Sequence, residues 1–371
     1  MKKVIKIVSI VLSVVLGVIL IGYAALAIVF NKDMKEEYNN QVNRMDALYE
    51  NPFDSVDESD FVNFDIHNNN LKLNEIQVLA THNSFKRMPF MPFSKTLELF
   101  WGQKVRNGYY GLDFLSEQFD MGIRGVELDV VMYGEDLRLI HDPVTDWRTN
   151  GPDFKMALEE IKLWSDINPG HIPINIMLQV RNNFSPFSHK FKKFTKQDIQ
   201  DMDNLLGEVF GEGNIIKPKD IKGDHDTLRE AVETDGWPEL SECMGKVYFA
   251  LLIGDETNKQ YYKEIDPSFE TQRAFIFSKP EEEEKEYTSF ILADSPFTEG
   301  LEELIDKNYI LRTRLDEQFN YSEQRRVASI ELGSQILATD HMRGNLLHPD
   351  YVTKLTPDNK TVIKRGSVAF L

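Results

Sequence analysis

The sequence predicts an α/β protein, a distorted (β/α)8 barrel preceded by an N-terminal transmembrane helix. Three observations carry that reading. Ile7–Phe30 is a run of 24 residues without a charge, preceded by three lysines. About eight short apolar strand candidates follow, several of them alternating with amphipathic helix patterns. Of the 371 residues, about 340 remain after the leading segment, enough for one large barrel or two medium domains.

Composition narrows the function classes. Apolar residues make up 42% and charged residues 27%, which is ordinary for a globular chain and unlike disorder. Lys+Arg is 42 against Asp+Glu 60, a formal charge of −18. Because the first thirty residues hold three lysines and no acid, the body is more acidic still. An acidic body argues against nucleic acid as a partner, since binding there needs basic surface to displace counterions. The single cysteine, Cys243, excludes an intrachain disulfide and a multi-cysteine zinc site.

The elements follow in order. As a helix, Ile7–Phe30 spans about 36 Å, enough for the ~30 Å hydrocarbon core. Lys2, Lys3 and Lys6 stand before it, which puts the N-terminus in the cytoplasm and the body outside. An uncleaved anchor and a signal peptide cut near Ala25-Leu-Ala27 compete, and the length favours the anchor. The expected location is the cell membrane, single-pass, with the body extracytoplasmic, or secreted if the segment is cleaved. Residues 31–72 are polar and end near Asn68-Asn69-Asn70, and they read as a stalk with a short helix around Lys35–Tyr49. Residues 73–371 then form the barrel domain.

Within that domain, Glu75–Ala80, Ile123–Met132, Leu137–Ile140, Ile172–Val180, Lys246–Ile253, Arg273–Phe277, Ile310–Arg314 and Gln335–Ala338 are the strand candidates, with Leu137–Ile140 extending or pairing with the second after the Tyr133-Gly134-Glu135-Asp136 turn. Phe154–Trp164, Thr195–Phe210, Thr227–Glu233, Leu301–Lys307 and Glu323–Leu332 read as helices. The acidic run Glu281–Glu284 reads as a solvated loop, and His189–Lys196, which could dock on anionic headgroups, reads rather as the solvated lead-in to a helix. Between the first two strands lies an insert rich in aromatics: Phe90, Met91, Phe93, Phe100, Trp101, Tyr109 and Tyr110. A lipid-touching rim and a lid packed on the barrel account for it equally well.

Three clusters sit at the ends of early strands, where barrel active sites form. They are Thr81-His82-Asn83-Ser84, Glu127-Leu128-Asp129 and His141-Asp142-Pro143. Glu127 and Asp129 are two apart on a strand, so both carboxylates share a face. A hard divalent cation relieves their repulsion, and oxygen ligands suit Ca²⁺ or Mg²⁺. The amide of Asn83 can add a third ligand. An ion pair of one carboxylate with Arg124 or Arg138 is the plainer explanation of the same spacing. His82 and His141 can serve as base and acid on opposite sides of a phosphodiester. Either one alone would more often be a structural histidine.

Ala80-Thr-His-Asn-Ser84, Asp120-Met-Gly-Ile-Arg-Gly-Val-Glu-Leu-Asp-Val130 and His141-Asp-Pro143 together resemble the bacterial type of calcium-dependent phosphoinositide phospholipase C. The likeness continues through Pro173–Arg181, Thr227-Leu-Arg-Glu-Ala231, Gly236-Trp-Pro238, Gly245-Lys-Val-Tyr-Phe249, Leu311-Arg-Thr-Arg314 and Gln335-Ile-Leu-Ala-Thr-Asp340. It covers about residues 73 to 370.

The resemblance implies a distorted TIM barrel and cleavage of the glycerol–phosphate bond of a phosphoinositide. The inositol 2-hydroxyl would attack phosphorus, giving diacylglycerol and an inositol 1,2-cyclic phosphate. His82 and His141 would shuttle protons, and Asn83, Glu127, Asp129 and the third-strand residue Gln179 would hold Ca²⁺. Three positions depart from the family pattern. Gln179 stands where a glutamate is usual, Phe85 where a tyrosine is common, and His341 where an aromatic hydroxyl is frequent. Gln179 removes one negative charge from the metal site, and calcium affinity falls with ligand charge.

Arg181, Arg312 and Arg314 point toward the barrel mouth if the strands are right, either to bind substrate phosphate or inositol or to make internal ion pairs. The expected partner is a phospholipid at a membrane surface, and no obligate protein partner is evident. Two other functions compete. A glycerophosphodiester phosphodiesterase shares the histidines and the acidic pair, but it normally has His-Arg-Gly where this chain has His82-Asn83-Ser84. A non-catalytic barrel that holds a lipid headgroup or glycan is the other, motivated by Gln179.

Overall fold

The computed structural model describes residues 2–67, 70–106, 108–317, 320–344, 346 and 348–368, so Asn68, Asn69 and the last three residues of the barrel domain lie outside the description. The chain opens with one unbroken helix, α1 (Lys2–Glu50). It stops there because Pro52 disfavours helical backbone at Asn51.

The part of α1 beyond the apolar run is not a stalk. Phe30, Asp33, Met34, Glu37, Gln41, Met45 and Leu48 are buried, at spacings of three and four that mark one helix face. Polar residues make up much of that face, so the sequence shows no apolar stripe there.

Eight parallel strands close a barrel: β1 (Ile76–Thr81), β2 (Gly125–Tyr133), β3 (Ile174–Val180), β4 (Val247–Ile253), β5 (Ala274–Ser278), β6 (Thr288–Leu292), β7 (Ile310–Arg314) and β8 (Ile336–Thr339). They pair in chain order, and β8 returns to β1 in register from Val78↔Ile336 to Thr81↔Thr339. The β1–β2 seam is narrow, with the single pair Ala80↔Gly125. A Cβ on Gly125 would fall 2.5 Å from that of Ala80, so glycine permits the closure.

The sequence anticipates about eight strands, and the pairing of Leu137–Ile140 with the second strand across a turn is observed, but that piece does not count among the eight of the barrel. Asp136–Leu139 is not a barrel strand. It folds back antiparallel on β2 through the turn at Gly134, whose φ is +70°. Thr288–Leu292 takes its place in the barrel. No full helix separates it from β5, only a short 3₁₀ turn at Pro280–Glu282, so the strand–helix alternation that marks the others is missing.

Helices cover the outside. They include α2 (Met91–Trp101), α3 (Leu115–Asp120), α4 (Phe154–Ile167), α5 (Lys196–Phe210), α6 (Leu228–Thr234), α7 (Glu256–Lys263), α8 (Leu301–Asp306) and α9 (Glu323–Leu332). Asp153, Thr195, Thr227, Asp255 and Ser322 cap α4, α5, α6, α7 and α9 by accepting from backbone N–H groups of the first turn.

Strand residues alternate between two cores. Leu79, Leu128, Leu178, Leu251 and Leu337 pack with residues of α4 and α5. Ala80, Met177, Ala250, Phe275 and Ala338 pack together in the other cluster, which the two-residue period places in the lumen. The same period turns Glu127, Asp129, Gln179, Arg312 and Arg314 inward.

Candidate active site

His82 follows β1 directly, and its Nδ1 lies 2.7 Å from Asp340 Oδ1. Asp340 follows β8, so two neighbouring strands fix this contact. Asp340 also pairs with Arg314 of β7, and Arg314 lies 3.4 Å from Asp316. Burial would raise the Asp340 pKa, but the charges of Arg314 and His82 outweigh it and hold the carboxyl far below its ordinary range. Asp340 is therefore an anion next to the imidazole. The Tyr110 hydroxyl stands 3.3 Å from His82 Nδ1 and accepts from Asn83 Nδ2 at 3.1 Å. Asn83 has a φ of +51°, a left-handed conformation that asparagine tolerates better than most residues.

His141 is positioned differently. The hairpin strand Asp136–Leu139 runs back along β2, and Ile140 N donates to Asp129 O at 3.1 Å. This sets His141 beside the acidic pair. Its Nδ1 lies 2.9 Å from Asp146 Oδ2, and Lys86 Nζ stands 3.2 Å from the same oxygen. Burial alone would lower the His141 pKa, but the hydrogen bond and charge of Asp146, with the charge of Asp129, raise it above the ordinary value. Lys86 is fully buried and donates to Gly108 O and Tyr110 O at 2.6 and 2.8 Å. Its burial lowers its pKa.

Both histidines line one cavity of about 590 Å³, with Asn83, Lys86, Tyr110, Asp146, Arg314, Asp340 and Trp101. The acidic pair of β2 lies behind its wall, with Glu127 Oε1 3.6 Å from His82 Nε2. Arg312 Nη2 donates to Glu127 Oε2 at 2.7 Å, and Arg312 also pairs with Asp294. Arg181 Nη1 donates to Asp129 Oδ2 at 2.6 Å and to His141 O at 3.0 Å. All three expected arginines thus reach the lumen, each against a carboxylate. Burial pushes the Asp129 carboxyl up to about 6 against the lowering effect of His141 and Arg181. Arg124 and Arg138 do not pair with the acidic residues of β2. They go to Glu58 and to Asp136 with Asp153.

The expected cation ligands come together on neighbouring strands. Asp129 and Gln179 are register partners on β2 and β3. Asn83 Oδ1 is buried and has no hydrogen-bond partner among the described residues. One end of the Gln179 amide lies 3.0 and 3.2 Å from the two Asp129 carboxylate oxygens. As nitrogen that end donates to both; as oxygen it needs a cation shared with them. The arginines bond one oxygen of each carboxylate, Oε2 of Glu127 and Oδ2 of Asp129. Two carboxylates and two amides, one of them with an orphaned oxygen, fit a hard divalent ion.

The family model for Ca²⁺-dependent phosphoinositide phospholipase C matches residues 71–136 and 131–364. The chain belongs to this family. The family's enzymes cleave phosphoric diesters and are calcium-dependent. Among solved structures, the calcium-dependent phosphoinositol-specific phospholipase C of a Gram-negative Pseudomonas species is similar, with a TM-score of 0.57 at 17% identity. That match covers 83% of this chain and 99% of the other. The Ca²⁺-dependent enzyme of Streptomyces antibioticus has a TM-score of 0.52 at 16% identity, covering 73% of this chain and 95% of that one. At these identities the two structures share the fold. No curated protein matches the chain.

Lys86, Tyr110, Asp146 and Asp340 are the site residues that sequence reasoning passed over. Asp146 had a local signal, an acid five residues after His141 in the same loop. Asp340 had only its place after the last strand. Lys86 and Tyr110 had none, because they depend on how the aromatic insert folds. In that insert Phe90 and Phe93 pack on Trp147, Tyr109 and Tyr110 are buried, and Phe100 and Trp101 are exposed. Of the departures from the family pattern, Phe85 is core and His341 is buried against Tyr351.

Proposed function

We propose that this enzyme is a membrane-tethered, extracytoplasmic phospholipase C that cleaves a phosphoinositide to diacylglycerol and an inositol 1,2-cyclic phosphate. The observation that carries the reading is the pair of histidines on one cavity, each with its Nδ1 committed to a separate carboxylate. With Nδ1 so held, Nε2 is the nitrogen for proton transfer, and that of His82 lies 3.6 Å from Glu127 Oε1. His82 accepts the proton of the inositol 2-hydroxyl as its oxygen bonds to phosphorus. His141, whose raised pKa favours the protonated form, donates to the glycerol oxygen as the P–O bond breaks. Arg314, on the cavity wall, and Arg181, whose side chain is one-third exposed, can face the phosphate or inositol. A calcium ion held by Asn83, Glu127, Asp129 and Gln179 would lower the pKa of the attacking hydroxyl and offset phosphate charge.

α1 supports the tether. Its apolar half is long enough to span a membrane, and the helix continues unbroken into the half docked on the barrel. Lysines before the span favour an outside location for the barrel.

The test uses the full chain in detergent with phosphatidylinositol or glycerophosphoinositol, each with calcium or with chelator. Calcium-dependent release of inositol phosphate from phosphatidylinositol is expected. Turnover of glycerophosphoinositol alone would make the protein a glycerophosphodiesterase, and turnover of neither would leave a binding barrel. Calorimetry adds a prediction for the departure at β3: Gln179→Glu restores a charge and tightens calcium binding, by about tenfold for ~1.4 kcal/mol.

A further inference from the structure

The join between α1 and the barrel fixes where the cavity opens. A hydrocarbon core of ~30 Å takes about 20 helical residues at 1.5 Å each, so a span that begins at Ile7 ends near Leu26. The barrel already touches α1 there. Tyr23 OH donates to Pro186 O at 2.5 Å, and its ring lies 6.1 Å from that of Phe187. Leu26, Ala27 and Val29 pack on a cluster that holds Phe30, Trp147 and Phe187, with Phe90 and Phe93. No spacer separates the span from the body.

The join is also stiff. Asp33 accepts from Trp147 Nε1 and Arg148 Nε, each at 2.9 Å. Glu37 accepts from Thr149 N at 3.1 Å, and Gln41 exchanges two hydrogen bonds with the Asp153 backbone. Arg44 reaches Ser116 and Glu160 and stacks over Phe114.

The cavity mouth lies beside this join. α2 starts against the same cluster through Phe93 and, about 16 Å on, ends at Trp101 on the cavity wall. Leu99, Phe100 and Trp101 are 83%, 76% and 56% exposed, and Phe184, three residues from Phe187, is 76% exposed. Phe184 thus stands near the end of the membrane span, and the three α2 side chains about one helix length from it.

We propose that the cavity mouth rests on the bilayer that α1 itself spans, with Leu99, Phe100, Trp101 and Phe184 in its interfacial layer, so that the enzyme draws lipid from its own membrane. The proposal rests on the membrane-tethered reading above. It commits this apolar rim to a lipid surface because the cavity it borders is lined by Pro89, Ser94, Thr145 and Asp146, chain neighbours of the Phe90, Phe93 and Trp147 that pack where the spanning helix meets the body.

The test places the full chain in phosphatidylcholine vesicles with brominated acyl chains and reads tryptophan emission. Trp147, Trp164 and Trp237 are buried, which leaves Trp101 as the exposed indole. Bromines near the headgroup should quench part of the emission more than bromines near the bilayer centre, and Trp101→Phe should remove that part. Quenching that is absent, or unchanged in Trp101→Phe, overturns the proposal. An indole shielded from both lipid bromine and aqueous iodide does so too, because a protein would then cover the rim.

A second arm compares phosphatidylinositol in the enzyme's own vesicles with the same lipid in separate vesicles. At least tenfold faster cleavage in the shared membrane is expected, and equal or faster cleavage of the separate vesicles contradicts the proposal. Absence of turnover even on detergent-dispersed lipid would defeat the proposed activity, while the quenching would still decide where the rim sits.

Discussion

The two histidines of the site are held by different parts of the molecule. His82 is oriented from inside the barrel, by an aspartate 258 positions away that follows the neighbouring strand β8. His141 is oriented from outside it, by Asp146 on the loop that immediately follows. That loop continues into Trp147, Arg148 and Thr149, which bond to Asp33 and Glu37 of α1. One histidine depends on barrel closure, the other on a loop that the N-terminal helix clamps. Damage to the first therefore costs fold and function together, whereas damage to the second can be graded.

Asp340→Asn should give the largest effect on this contrast. It leaves the buried Arg314 with only the longer contact to Asp316, and breaking a buried ion pair costs about 3–5 kcal/mol. Thermal melting should show a clear loss of stability, with kcat down by about 10²-fold or more as His82 loses its orientation.

Asp146→Asn also takes the carboxylate from the buried Lys86 and so costs stability too, but its distinguishing effect is on pH. The raised pKa of His141 keeps its proton to higher pH, and the Asp146 charge is a main reason. Without it the pKa falls, so the basic limb of the kcat/KM profile moves to lower pH. An unmoved limb would remove His141 from the role of acid.

The smallest effect on turnover belongs to α1. Burial pushes the Glu37 carboxyl up from 4.5 to about 8, against the backbone hydrogen bond from Thr149 and the charge of Arg87. Between those values the folded chain keeps a proton that the unfolded chain has lost, so stability falls as pH rises through that window. Glu37→Gln should flatten this dependence in melting curves taken from pH 4.5 to 8, with little change in kcat.

Much of the barrel and the centre of the site is legible in the sequence because it follows local periods. Glu127 and Asp129 share a face by the two-residue strand repeat, and His82 and His141 stand just after apolar runs. What the sequence hides is what tertiary contact decides. β6 has the right composition but lacks the helix that announces the other strands. The docked half of α1 carries Asp33, Glu37 and Gln41 where an apolar stripe would be expected, because its partners are backbone N–H groups, an indole N–H and guanidinium groups. Lys86 looks like a surface lysine until the insert folds over it.

The most direct measurement is release of inositol phosphate from phosphatidylinositol by the full chain with calcium, native beside His82→Ala, with melting temperatures to confirm folding. The account predicts native turnover and a loss of about 10²–10⁴-fold in a folded variant. A folded His82→Ala protein that retains native turnover would contradict it.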